Sequence, residues 1–227
     1  MDMREILLAT GNPDKAREME EILSACEAGL PPVRWRRLSE FPGIPEPIED
    51  GETFLANAKL KALHYARHGG LWTIADDSGL EVDALGGAPG VRSARYAGEP
   101  SNPKANNALL VRNLTGVPAE RRSARFRCAV VLATQGQVLA SAEGAVEGRI
   151  IDEPRGTNGF GYDPHFWIDE AGMTAAEMTS ERKHAISHRG QALRGLRDLL
   201  PAIMAASAGQ VSVTAGQKNF PARRLIT

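Results

Sequence analysis

A chain of 227 residues with 42% hydrophobic and 24% charged side chains has the composition of an ordinary globular protein, with length for one large domain or two small ones. Its formal net charge of -1 argues against a nucleic-acid polymer as the main partner, and no apolar run approaches the roughly 20 residues that a membrane span requires. The start, Met1-Asp2-Met3-Arg4-Glu5, does not read as a secretory signal, and the two cysteines, Cys26 and Cys128, match no metal or redox spacing and read as buried free thiols in a reducing, cytoplasmic compartment.

Glu5 to Ala9 reads as a first strand, running into Thr10-Gly11-Asn12-Pro13-Asp14-Lys15. Asn12 suits an N-cap and Pro13 the first helical position. Ala16, Met19, Ile22, Leu23 and Cys26 then share one helical face, and Gly29 to Pro32 end the helix. Val33 to Leu38 alternates as a second strand near a sheet edge. Pro42, Pro45 and Pro47 exclude regular structure. Thr53 opens a second helix to about His68, with Asn57, Lys61 and His64 on its polar face. Leu71 to Ala75 reads as a short buried strand that ends at Asp76-Asp77-Ser78-Gly79, followed by a glycine-rich loop with Gly86-Gly87-Ala88-Pro89-Gly90-Val91 and Ser93-Ala94-Arg95-Tyr96. Asn102-Pro103 starts a third helix, which ends near Gly116. Ser123 to Thr134 and Gln137 to Val146 flank Gln135-Gly136 as a β-hairpin. Gly156 to Pro164 is a loop. A last helix starts at Ser187, with Leu193, Leu196, Leu200 and Ile203 apolar, and Ala208 to Thr227 reads as a loose tail behind a single domain of residues 1–207.

Four segments have chemistry to offer. A strand that turns into a helix at Thr10 to Lys15 presents backbone N–H groups and a helix dipole to an anion. Lys15 opposes that dipole, as a residue reserved for a ligand phosphate would; a plain structural cap accounts for the same residues. Asp76 and Asp77 are adjacent carboxylates, costly to hold together without a cation. A hard divalent ion resolves that cost, and so does a solvated acidic turn. Successive residues of an extended chain point to opposite sides, so the two aspartates have different tasks. Glu46, Glu49, Asp50 or Glu52 could join them as metal ligands. Gly159-Phe160-Gly161-Tyr162-Asp163-Pro164 could let a flat base approach an aromatic ring, or could plug the core with both rings. Lys183 and His188-Arg189 cluster donors, which would favour a 6-keto purine over adenine, or would be surface charge.

Taken together in this order, the segments Ala9-Thr10-Gly11-Asn12-Pro13-Asp14-Lys15, Thr53-Phe54 with Asn57-Ala58 and Lys61, Ala75-Asp76-Asp77-Ser78-Gly79-Leu80 through Ala97-Gly98, Gly159 to Pro164, and Lys183 with Ser187-His188-Arg189-Gly190-Gln191-Ala192-Leu193 resemble the inosine triphosphate pyrophosphatase family. The resemblance covers residues 5 to about 205. It implies an elongated, two-lobed α/β fold, with a central mixed sheet flanked by helices and a nucleotide cleft between the lobes. It also implies a homodimer and the Mg²⁺-dependent hydrolysis of ITP, dITP and XTP to the monophosphate and pyrophosphate. Carried onto this chain, Thr10, Gly11, Asn12, Pro13, Asp14, Lys15 and Lys61 would hold phosphates. Asp77 would accept a proton and bind metal, and Ser78 would touch the substrate. Phe160, Gly161, Tyr162 and Asp163 would surround the base, with Lys183, His188 and Arg189 contacting it. The family often has a metal-binding Glu three residues before the Gly aligned with Gly51; here that position is Ile48, and Glu49, or failing it Glu46, could take the role by a small loop shift. A nucleotide-binding regulator without hydrolysis, and a pyrophosphatase for modified pyrimidine or methylated nucleotides, are the rival readings.

Overall fold

The computed structural model describes residues 3–25 and 32–214, with side chains as far as Ser207. Strand β1 (Arg4–Leu8) buries Ile6, Leu7 and Leu8 completely, as expected of a strand covered on both faces. Helix α1 (Pro13–Ser24) carries the chain to β2 (Val33–Arg37), which pairs parallel to β1 at the sheet edge. Helix α2 (Phe54–Gly69) then returns it to β3 (Trp72–Val82), parallel to β1 on the other side. After helix α3 (Pro103–Asn113), strands β4 (Ser123–Thr134) and β5 (Gln137–Ile150) form the expected hairpin and extend the sheet antiparallel. Two short strands that the sequence reading passed over, β6 (Phe166–Ile168) and β7 (Met173–Thr174), complete a mixed seven-stranded sheet of order β2-β1-β3-β4-β5-β6-β7. Their few residues show too little alternation to stand out within a loop-like composition.

Helices cover both faces. Met19, Ile22 and Leu23 of α1 join Leu193, Leu196 and Leu200 of α5 (His188–Thr214) against Ile6, Leu8, Ile74, Val130 and Leu132. On the other face the alanines of α2 (Ala58, Ala62, Ala66) meet Ala75, Ala129 and Ala133, and so many small side chains let helix and sheet approach closely. A third cluster, around Leu80, Leu110, Phe126, Tyr162 and Phe166, packs α3 and the segment after β5 against the far end of the long strands.

Four differences from the sequence reading matter. Strand β3 does not stop at Ala75 but continues through both aspartates to Val82, paired with β4 at Asp76↔Val130 and Asp77↔Ala129. Charge is tolerated inside a strand because cations from α1, α2 and α5 meet it there. Gly79 is therefore a close-packing residue and not a turn: a Cβ would strike Ser93 Oγ, the Gly90 carbonyl and the Phe54 ring. A separate helix, α4 (Ser180–Ile186), precedes α5, the two joined at an extended Ser187. Helix α5 runs past Ala208, where an irregular tail was expected, to Thr214. Cys128 is a buried free thiol; Cys26, the expected helix stop at Gly29 to Pro32 and residues 215–227 lie outside or partly outside the described residues.

Candidate active site

The twofold alternation of β3 sends Asp76 toward α1 and α5, and Asp77 toward α2. Asp76 is 1% exposed. Its Oδ2 lies 3.2 Å from Lys15 Nζ and accepts from Arg189 Nε at 3.3 Å and Nη2 at 3.2 Å. Burial would lift this carboxyl, but Lys15, Arg189 and Lys61 outweigh it and hold Asp76 well below the usual carboxylate range. Asp77 is 7% exposed and accepts from Lys61 Nζ at 3.2 Å and from Asn57 Nδ2 at 3.2 Å. Burial pushes Asp77 above its ordinary value, aided by the negative charges of Asp76 and Glu49 and opposed by Lys61 and Lys15. Two neighbouring carboxyls are thus driven apart in acidity, the pattern that marks divided acid–base roles. Asn57 also clamps the loop before α2, accepting from Gly51 N at 2.8 Å.

Asp77 faces a cleft of about 620 Å³ whose walls include Thr10 to Lys15, Glu46, Glu49, Lys61, Ser78, Ser93, Arg95, Phe160 to Asp163, Lys183, His188 and Arg189. Asp50, Glu52, Asn57, His64 and Asp76 do not line it, but most of the residues singled out from the sequence reach this one concavity. Their detailed placement departs from expectation in several cases. The amides at the start of α1 are not open to an anion, because Asn12 Oδ1 accepts from Asp14 N at 2.9 Å and Lys15 N at 3.2 Å. Positive charge at this end of the cleft comes instead from a side chain, that of Lys15. Asp14 turns outward to Arg17 at 2.8 Å. His64, expected beside Asn57 and Lys61, binds the Pro45 carbonyl on the surface instead.

The opposite end holds a buried relay of charge. Glu18, which sequence reasoning missed, accepts from Lys183 Nζ at 2.8 Å and from Arg189 Nη1. Burial opposes its ionisation, but Arg189 and Lys183 keep Glu18 ionised, lowering its pKa. Lys183 also donates to Asp163 Oδ2 at 2.8 Å, which in turn accepts from Phe160 N. The Phe160 ring lies over both cations, 4.8 Å from Lys183 Nζ and 5.6 Å from Arg189, so it is fixed by cation–π contact at the cleft wall. Tyr162 is the core plug of the pair: it is buried and its hydroxyl donates to the Ser93 carbonyl at 2.7 Å. His188 stacks on Phe126 with centroids 4.9 Å apart, and burial together with Arg189 and Lys183 holds it neutral, well below its ordinary range. Arg189 uses four of its five N–H groups on Asp76, Glu18 and Ser78. Lys183 uses two of its three. Each thus retains one donor.

Carboxylates and cations line the cleft in equal number, and Asp76 and Glu18 lie buried behind the wall. A polyphosphate would meet no net positive charge here. Glu49 Oε2 and Asp77 Oδ1 converge on the Lys61 ammonium at 3.0 and 3.2 Å, so both already face a point of positive charge. Hard oxygen donors of this kind fit Mg²⁺. Among the described residues no three His, Cys, Asp or Glu side chains gather as a metal cage, which suits an ion that draws its remaining ligands from phosphate and water.

The model of the Ham1 family matches residues 6–199. The dITP/XTP pyrophosphatase of Desulforamulus reducens is 49% identical over 195 residues, covering 86% of this chain and 94% of the relative; that of Lactobacillus acidophilus is 48% identical over 202 residues, covering 88% and 98%. The solved structure of a HAM1 protein from Coxiella burnetii superimposes with a TM-score of 0.77 at 41% identity, covering 87% of this chain and 98% of that one.

Proposed function

The chain belongs to the Ham1 family, and from that premise and the cleft we propose that it hydrolyses the non-standard purine triphosphates ITP, dITP and XTP to the monophosphate and pyrophosphate. We further propose that it does so with Mg²⁺, as a cytoplasmic homodimer that cleanses the nucleotide pool. The observation that carries this reading is the divided pair on β3, with Asp76 locked in ion pairs and Asp77 open to the cleft with raised basicity. The names of the two bacterial pyrophosphatases above support the substrate class.

In this reading Asp77 takes a proton from the water that attacks the innermost phosphorus, and the bond from that phosphorus to the bridging oxygen breaks. Lys61 orients Asp77 and, with Lys15, supplies fixed positive charge beside the developing negative charge. Asp77 and Glu49 would hold Mg²⁺, which when bound neutralises charge on the leaving pyrophosphate. At the other end Phe160 stacks on the base, and the one remaining donor on each of Lys183 and Arg189 meets the 6-keto oxygen. Adenine carries an amino donor at that place and would leave the remaining donor of each cation without an acceptor, a penalty that selects by exclusion.

The test is a panel of ITP, dITP, XTP, GTP, ATP and dUTP with Mg²⁺, with pyrophosphate and orthophosphate assayed separately. Pyrophosphate release from ITP, dITP and XTP in preference to the others supports the proposal. Orthophosphate as the first product, or preference for ATP or dUTP, overturns it.

A further inference from the structure

The Ser93-Ala94-Arg95-Tyr96 segment has no task in the chemistry above, yet Arg95 lines the same cleft. Its backbone is held from several sides. Ser93 Oγ accepts from Leu80 N at 2.8 Å and donates to the Gly90 carbonyl at 2.7 Å. The Ser93 carbonyl accepts from Tyr162, and the Ala94 carbonyl from Asn106 Nδ2 at 3.0 Å. Asn106 Oδ1 accepts from Ala97 N at 2.7 Å. This frame packs directly on Gly79, two residues from Asp77 on the same face of β3.

The Arg95 side chain, in contrast, is loosely engaged. Its one ion-pair partner among the described residues is Glu99 at 3.4 Å, with side chains 46% and 72% exposed, a pairing worth little in water. Lys15, Lys61, Lys183 and Arg189 are each bound to buried or half-buried carboxylates. Arg95 is therefore the cleft cation, among the described residues, whose charge is not already committed. Arg95 is one of the cations that only balance the carboxylates of this wall, so what it offers a polyanion is a weakly held guanidinium that can turn to bind phosphate oxygens through two N–H groups at once.

We propose that Arg95 is a substrate-binding residue that exchanges Glu99 for the polyphosphate chain when a nucleotide enters. This inference rests on the proposed triphosphate reading. The experiment measures KM and kcat for ITP and XTP, and inhibition by inorganic pyrophosphate, in wild type, Arg95→Ala and Arg95→Lys, alongside thermal melting. The wild-type panel stands as its own control: failure of wild type to cleave triphosphates would overturn the functional reading and, with it, the role of Arg95, before any variant is compared. Given wild-type cleavage, Arg95→Ala is expected to raise KM for ITP and XTP equally, by about tenfold or more for a lost charged hydrogen bond. Pyrophosphate inhibition should weaken in step, Arg95→Lys should recover part of both, and melting should stay unchanged. An unchanged KM, a loss confined to one base, or unchanged pyrophosphate inhibition would overturn the assignment.

Discussion

Replacing Asp77 by Asn preserves side-chain shape but removes the oxygen that can take a proton. Lys61 would keep Glu49 at 3.0 Å as a counter-charge, so little stability should be lost. Turnover of ITP by Asp77→Asn is expected to fall by about 10²–10⁴-fold, the range for a positioned base, with its urea midpoint near that of wild type. Asp76→Ala should behave in the opposite way on stability. It leaves Lys15 without its partner and takes from Arg189, 1% exposed, one of its two carboxylates. Removing one member of a buried pair costs about 3–5 kcal/mol, read as a lower urea midpoint at unchanged m-value. Equal destabilisation by the two substitutions would show that the division of labour along β3 is not real. The side chain of Arg189 narrows an expectation. The sequence offers it as a donor to the base, and the structure commits four of its five N–H groups to Asp76, Glu18 and Ser78, so one donor remains for that contact.

Strand β3 is the element that joins fold to chemistry, and Gly79 is where it can be tested. A Cβ there meets the Gly90 carbonyl, which is backbone and cannot rotate away, besides Ser93 Oγ and the Phe54 ring. Gly79→Ala should therefore push the Gly90–Arg95 segment off the strand, cost about 1–3 kcal/mol as an overpacked core does, and raise KM for ITP through displaced Arg95; calorimetry and steady-state kinetics report the two effects. The same strand shows what can be read from sequence. The turn into α1, the extent of α2 and the β4–β5 hairpin follow from local periodicity and capping, and the i, i+4 spacing of Asn57 and Lys61 puts both on one face of α2, which only the structure brings against Asp77. The full length of β3 does not, because charged residues persist inside a strand only when distant elements supply counter-charge. Glu18 was illegible for the same reason. It sits in the charged run Asp14-Lys15-Ala16-Arg17-Glu18 of α1, and only Lys183 on α4 and Arg189 on α5, more than 160 residues away, set it apart from its solvated neighbours.

For the whole molecule, a buried neutral histidine links folding to pH. His188 lies where the first turn of α5 meets Phe126 of β4, and its Nδ1 has no hydrogen-bond partner among the described residues. Burial, Arg189 and Lys183 depress its pKa well below the ordinary value of 6.5. In the unfolded chain the same histidine takes up a proton below about pH 6.5, whereas the folded chain refuses it until much lower pH. The unfolded state therefore binds more protons in that window, and stability must fall as the pH drops below about 6.5, by up to about 1.4 kcal/mol per pH unit. Above that pH the contribution is complete. Asp77 acts with the opposite sign: its raised value favours the folded state at low pH, and that contribution fades as pH rises through the folded value. Wild type and His188→Phe share this carboxylate and the other four histidines, so their difference isolates His188 while the phenyl ring preserves the stack on Phe126. Urea denaturation at pH 5, 6, 7 and 8 should give wild type a falling stability below pH 6.5 and the variant a visibly flatter acid limb. Parallel curves would mean that His188 is protonated in the folded protein as readily as in water, and that the cations gathered around it are screened far more than their burial implies.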